Sequence, residues 1–508
     1  MLSKITCFAL LGIYGIPVEV ESDVNRGMVS FDMVGLPDAA VKESKERVRS
    51  AIKNSALIFP VNRITINLAP ADVKKEGSHF DLAIAISLLK ASGQLTAETE
   101  DIVMLGELAL DGALRPVAGI LPILISAKAK GFKRFIVPKD NANEASYIED
   151  TEVYALSSLK QAVNFLSGEE SFSPVEHKSF KATQGAAVYS SDMSFVKGQR
   201  TAKRAIEIAV AGGHNILLAG PPGTGKTMLA RCLPTVMPDM TFDEALEVTK
   251  IHSVSGELSE EGIVSLRPFR TPHHTATTIS LCGGGNAKIR PGEISKAHKG
   301  VLFLDELPEY TRSALESLRQ PLEDRVITVT RAGGAVTFPA DFVLCASMNP
   351  CPCGNYGSAE RECICTPAQI SKYKNRISGP LLDRIDLQVE CDNVKYDDLI
   401  SESKEETSAE VKARVERARA IQRERFAEEK FSTNSNMGEK HLRKYCKLSL
   451  ECERVLKEAF INLKLSVRAR SRIIKVARTI ADLDECENIL PKHILEAASY
   501  RGSSGELN

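Results

Sequence analysis

The chain has 508 residues, 43% hydrophobic and 26% charged, with a net charge of -1. These values suit a globular protein of about three domains and exclude a global field aimed at nucleic acid or a membrane, so any basic surface must be local. No apolar run reaches the roughly 18 residues of a membrane span, and the 12 cysteines, scattered apart from one tight cluster, fit a reducing cytoplasm rather than a disulfide framework.

Residues 1–167 alternate strands and helices. The N-terminal stretch from Met1 to Gly12 carries a single lysine, a short apolar run and no small-residue cleavage site, which marks a first strand rather than a signal peptide. Val18 to Glu21 and Ile64 to Leu68 alternate as half-buried strands do. Asp38 to Ser55 reads as an amphipathic helix with Ala40, Val41, Val48 and Ile52 on one side. Phe80 to Ala91 reads as a buried helix, and Phe135 to Pro138 as a late strand. Residues 168–192 lack periodicity and are rich in Ser, Gly and Pro, the composition of a linker. Residues 193–393 form a nucleotide domain, and helical patterns in 394–508 follow, with Pro491 placed for a first helical turn.

The nucleotide domain rests on Gly220, Pro221, Pro222, Gly223, Thr224, Gly225, Lys226 and Thr227, between an apolar strand pattern and a helix pattern. That order is what a P-loop requires. Glycines let backbone N–H groups curl around a phosphate, and the helix adds its positive N-terminal end. Lys226 then reaches the β- and γ-phosphates of ATP, and the Thr227 hydroxyl joins the shell of Mg²⁺. Gly300 to Asp305 and Glu306 is an apolar strand ending in paired carboxylates. Asp305 suits the Mg²⁺ shell and Glu306 suits the general base for the attacking water. A third strand, Phe342 to Met348, ends in the amide of Asn349.

Pro350, Cys351, Pro352 and Cys353, then Cys363 and Cys365, follow at once. Four thiolates from a short loop suit tetrahedral Zn²⁺, although two-residue gaps are commoner, and free or redox-active thiols are the alternative. His273 and His274 point to opposite sides of an extended chain and are assigned no role.

Several stretches resemble known families. Lys75 to Ala83, Leu105 to Gly119 and Ala129 to Pro138 are similar to the proteolytic domain of Lon. The resemblance implies an α/β fold related to ribosomal protein S5. Where that family has its nucleophilic serine and activating lysine, this chain has His79 and Leu121. Ser78 stands nearby without a base, so the domain is read as non-proteolytic, serving packing or contact with a protein partner. In AAA+ ATPases the place of Asn349 is sensor 1, that of Arg384 in Gly379 to Asp386 is an arginine finger offered by a neighbouring subunit, and that of Arg468 is sensor 2 in a C-terminal helical lid. A finger given in trans implies a closed homo-oligomeric ring, most simply of six. An insert from Phe269 to Gly292 and a hairpin over Val326 to Phe338 before sensor 1 resemble the clade of magnesium chelatase motors and MCM helicases. From about residue 5 to 502 the chain resembles the YifB/ComM family.

The resemblance implies a ring ATPase that moves on branched or single-stranded DNA. Lys288, Arg290 and Arg331 are candidates to line a pore, or are solvated surface charges. Lys464 to Arg478 carries six basic and no acidic residues, a further candidate DNA face. The competing readings are the motor subunit of a metal chelatase with a protein partner, and a Lon-type protease, which the absent dyad opposes.

Overall fold

The computed structural model describes residues 2–180, 190–285, 289–331, 334–357, 361–393, 405–463 and 465–502. Its N-terminal part is a seven-stranded sheet of β1 (Leu2–Leu11), β2 (Tyr14–Asn25), β3 (Ser30–Val34), β4 (Arg63–Ala69), β5 (Ile102–Met104), β6 (Arg134–Pro138) and β7 (Glu152–Leu156). The strand order is β3-β4-β2-β1-β5-β6-β7. Only the β1–β2 and β2–β4 pairs are antiparallel. Val18, Val20, Ile64, Ile66 and Leu68 point into the core while Glu19 and Thr65 do not, the alternation a one-faced strand requires. The helix α1 (Ala39–Asn54) is capped by Asp38, whose carboxylate accepts from the Val41 N–H at 2.8 Å. Its core face is Val41, Ser44, Val48, Ala51 and Ile52. A short 3₁₀ turn (Ser78–Phe80) leads into α2 (Asp81–Ala91), buried everywhere except Lys90, and α3 (Ile120–Ala129) is buried over Ile120 to Leu124 and at Ala127.

The second sheet holds β8 (Ile216–Ala219), β9 (Phe269–Arg270), β10 (Val301–Leu304), β13 (Val343–Met348) and β14 (Leu387–Glu390), while β11 (Val326–Arg331) and β12 (Gly334–Pro339) form a separate hairpin. The order is β9-β10-β13-β8-β14, and every pair is parallel. All residues of β10 and β13 are buried, as expected of strands covered on both faces. Flanking helices include α4 (Arg200–Gly212), α5 (Lys226–Val236) and α6 (Phe242–Ser255).

The C-terminal helices α7 (Ser408–Arg425), α8 (Leu450–Asn462), α9 (Val467–Leu483) and α10 (Pro491–Gly502) share one apolar core with α4 and α5. Polar contacts lock them there. Gln422 donates to the Ala211 carbonyl at 3.0 Å, and His214 pairs with Thr479 at 2.8 Å.

The N-terminal sheet is docked on the nucleotide domain. Ile13, in the β1–β2 turn, joins the core that includes Val336 and Phe338 of β12. Gly12 lies so near that a Cβ there would stand 2.5 Å from Val336 Cγ1. The Ser253 hydroxyl of α6 donates to Glu144 at 2.9 Å and accepts from the Gly119 N–H at 3.1 Å. Among the described residues no helix is long and apolar enough to cross a membrane.

Candidate nucleotide site and cysteine cluster

Register brings the site together. Ala219 pairs with Met348, and Leu304 with Ala346, so Gly220, Asp305 and Asn349 emerge side by side at the carboxyl end of the sheet, where open parallel sheets bind ligands. Gly223 and Gly225 take φ values of +88° and +85°, which a Cβ disfavours. Gly220 is fixed by space instead, since a Cβ there would lie 2.2 Å from the Cys391 carbonyl oxygen of the neighbouring chain segment.

Lys226 opens α5 and is nearly buried. Its ammonium donates to the Gly220 and Pro221 carbonyls at 2.7 Å each and to Asn349 Oδ1 at 3.3 Å. Burial lowers its pKa, against the attraction of Asp305, so a bound polyanion offsets a charge the site otherwise disfavours. The Thr227 hydroxyl donates to Asp305 Oδ2 at 3.2 Å, and Ser347 and the Glu306 N–H hold the other carboxylate oxygen. A hydroxyl and a carboxylate already in contact are a hard-oxygen pair of the kind Mg²⁺ takes. Glu306 itself sits in a left-handed turn, φ 52° and ψ 50°, with its carboxylate half exposed. His274 Nδ1 lies 3.3 Å from Glu306 Oε2. This contact was not visible in the sequence, because the two residues are 32 positions apart on different strand exits.

The four cysteines converge. Their sulfur atoms all lie within 4.8 Å of one another, with Cys351–Cys353 at 3.3 Å, Cys353–Cys363 at 3.6 Å and Cys351–Cys363 at 3.7 Å. Tetrahedral zinc with bonds of about 2.3 Å sets its thiolates about 3.8 Å apart. The Tyr356 N–H donates to Cys351 Sγ at 3.3 Å. The Asn355 N–H above all lowers the pKa of the Cys353 thiol, while those of Cys363 and Cys365 beside it are raised. Four sulfur atoms converging at these spacings form a donor set that fits zinc.

Family models described as magnesium chelatase, subunit ChlI, match residues 192–399, with companion models for subunit ChlI of Mg-chelatase on 20–141 and the ChlI C-terminal region on 405–501. The chain is similar to the competence protein ComM of Haemophilus influenzae, 44% identical over 97% of this chain and 96% of that one. It is also similar to the protein YifB of Escherichia coli, at 44% identity over 98% and 97%. The chain belongs to the ComM/YifB family. Its central part is a magnesium chelatase-like AAA+ ATPase domain, as the sheet order and the carboxyl-end site require.

Arg384, expected as a finger for a neighbouring subunit, and Arg468, expected as sensor 2 in the lid, both lie away from this protomer's P-loop. Arg384 and Arg468 line one cavity of about 1010 Å³, together with Asn215, Glu323 and Arg472. Asn215 precedes β8, so this cavity is at the amino end of the sheet, a strand of four residues or about 13 Å from the P-loop end. Arg384 is mostly buried, paired with Glu323 and the Pro380 carbonyl, with its Nε unpartnered. Arg468 is exposed at the start of α9. Beneath them, against the cost of burial, Arg472 and then His214 hold Asp386 well below the usual carboxylate range.

The expected hairpin is present, and Arg290 is exposed on a short strand paired with Gly283 and Gly284. Lys288, Lys464 and the Arg331 side chain lie outside the described residues. At the Lon-like positions His79 is buried and bonded to the Phe8 carbonyl at 2.9 Å, Leu121 is fully buried, and the Ser78 hydroxyl donates to Glu107.

Proposed function

We propose that this chain is the subunit of a ring, most simply a hexamer, that hydrolyses ATP to move along DNA and shift branched junctions in the cytoplasm. The observation that carries the ring is the split site. Phosphate-binding and water-activating groups lie at the carboxyl end of the sheet, and Arg384 and Arg468 at the amino end. A neighbour's arginines would complete each site by offsetting charge on the transferring phosphoryl group. Lys226, Thr227 and the P-loop backbone bind and orient the triphosphate. Thr227 and Asp305 would hold Mg²⁺, which would supply charge neutralisation at the phosphates. Glu306 takes the proton of the attacking water, and Asn349 positions that water. The four cysteines are read as a structural zinc site.

DNA as the track is supported by the ComM relative, named for competence, and by the exposed Arg290 beside the hairpin. The Lon-like part is read as a non-proteolytic docking domain, given what occupies His79 and Leu121. A second reading, the motor of a metal chelatase, is favoured by the family models named for chelatase subunit ChlI. A mobile four-way junction separates the two. The DNA motor resolves it with ATP, and the Glu306→Gln protein does not. A wild-type ring that turns over ATP but leaves the junction intact favours the chelatase reading.

A further inference from the structure

The cysteine loop leans on the nucleotide loop. Gly354, between the paired cysteines, takes φ +82° and sits where a Cβ would be 2.6 Å from Pro222 Cδ and 3.0 Å from its Cγ. The Gly354 N–H donates to the Cys351 carbonyl at 3.0 Å, so this tight turn belongs to the cysteine cluster itself. Pro222 is thus backed by the cysteine turn, while Gly220, two residues earlier, is backed by Cys391. Between these two walls run the Gly220 and Pro221 carbonyls that accept from Lys226. The same cluster begins two residues after Asn349, whose side chain is the third acceptor for Lys226.

Among the described residues, the buried Tyr373 hydroxyl meets the Asn349 backbone, and the cysteine segment has little apolar cover beyond that. Ile364 is 85% exposed and Tyr356 48% exposed, and Lys374 over the Tyr356 ring at 5.5 Å is a surface contact. A loop that cannot bury a core takes its shape from its metal.

We propose that the metal-filled cysteine turn is a brace that sets the nucleotide loop, so that zinc occupancy and ATP affinity are coupled. This rests on reading the four thiols as a zinc site. Zinc fixes the turn, the turn fixes Pro222 and the exit of Asn349, and these hold the acceptors that aim Lys226. Coupling of two binding events is reciprocal. Loss of zinc weakens ATP, and bound ATP retains zinc.

The test uses full-length Glu306→Gln protein, purified reduced and without chelators, so that ATP stays intact. Zinc is counted by atomic absorption, its release by a thiol-blocking mercurial is followed with a chromogenic chelator, and ATP affinity is read with a fluorescent analogue. About one zinc per chain is expected, with release slowed by ATP and ATP affinity reduced at least about tenfold after removal. Pro222→Ala removes the Cδ and Cγ that meet the turn, leaves all four cysteines and the Gly354 backbone untouched, and separates the two ideas. It is expected to retain about one zinc per chain while zinc release loses its slowing by ATP, a coupling seen between residues in contact. Zinc near zero overturns the metal reading and the brace with it. Zinc at one per chain, with release indifferent to ATP in the parent protein, leaves the metal reading standing and overturns the brace.

Discussion

Lys226 and Glu306 do different work at the same carboxyl end, and substitutions should separate them. Lys226 aims its ammonium among the loop carbonyls and Asn349, so Lys226→Ala is expected to abolish ATP binding in a fluorescent-nucleotide titration. Glu306→Gln keeps shape and hydrogen bonding but cannot take a proton. It is expected to bind ATP normally and lose turnover by about 10² to 10⁴-fold, the range for a general base. Normal hydrolysis by that variant would remove Glu306 from the role. Gly220→Ala tests packing, because its Cβ meets the rigid Cys391 carbonyl at 2.2 Å. A loss of about 1–3 kcal/mol, the usual cost of overpacking, should appear in denaturant unfolding. The P-loop and the carboxylates were legible in the sequence because their chemistry is local: glycines, a lysine and a hydroxyl in one loop, and acids at the end of an apolar strand. The His274 contact with Glu306 was not, since it depends on two strands exiting together.

At the scale of elements, β1, α1, β8, β10, β13 and the hairpin of β11 and β12 lie where the sequence pattern puts them, whereas the two-residue β9 sits inside the insert from Phe269 to Gly292 and β14 carries no strand signal of its own. The four cysteines could be grouped from spacing alone, but their common distance of 3.3–3.7 Å for three of the pairs needed the folded loop. What sequence could not reveal is how elements far apart meet. Nothing in Gly12 or Ile13 announces that the β1–β2 turn seats itself on β12. Likewise, Arg384 and Arg468 could be assigned to motifs, yet only the fold separates them from the P-loop of their own chain. That separation gives a prediction. Arg384→Ala protein and Glu306→Gln protein, each nearly inactive alone, should regain ATPase when mixed, because some interfaces then pair an intact P-loop and Glu306 with an intact Arg384. Mixtures no more active than the separate proteins would contradict a finger given in trans.

The whole molecule has a net charge of -1, so the proposed attraction to DNA would have to come from local surfaces such as that of Arg290 rather than from a general field. Phosphate contacts made by a few such cations release counterions, and binding of that kind falls steeply with salt. On the proposed reading, a ring that works on DNA would couple its hydrolysis to contact with that DNA. The most direct measurement is therefore steady-state ATPase of the assembled protein with and without four-way-junction DNA, at two salt concentrations. Strong stimulation at low salt that fades at high salt is the predicted result. An assembled ring with ordinary basal turnover that ignores the junction at both salts would contradict the account and turn the search to a protein partner.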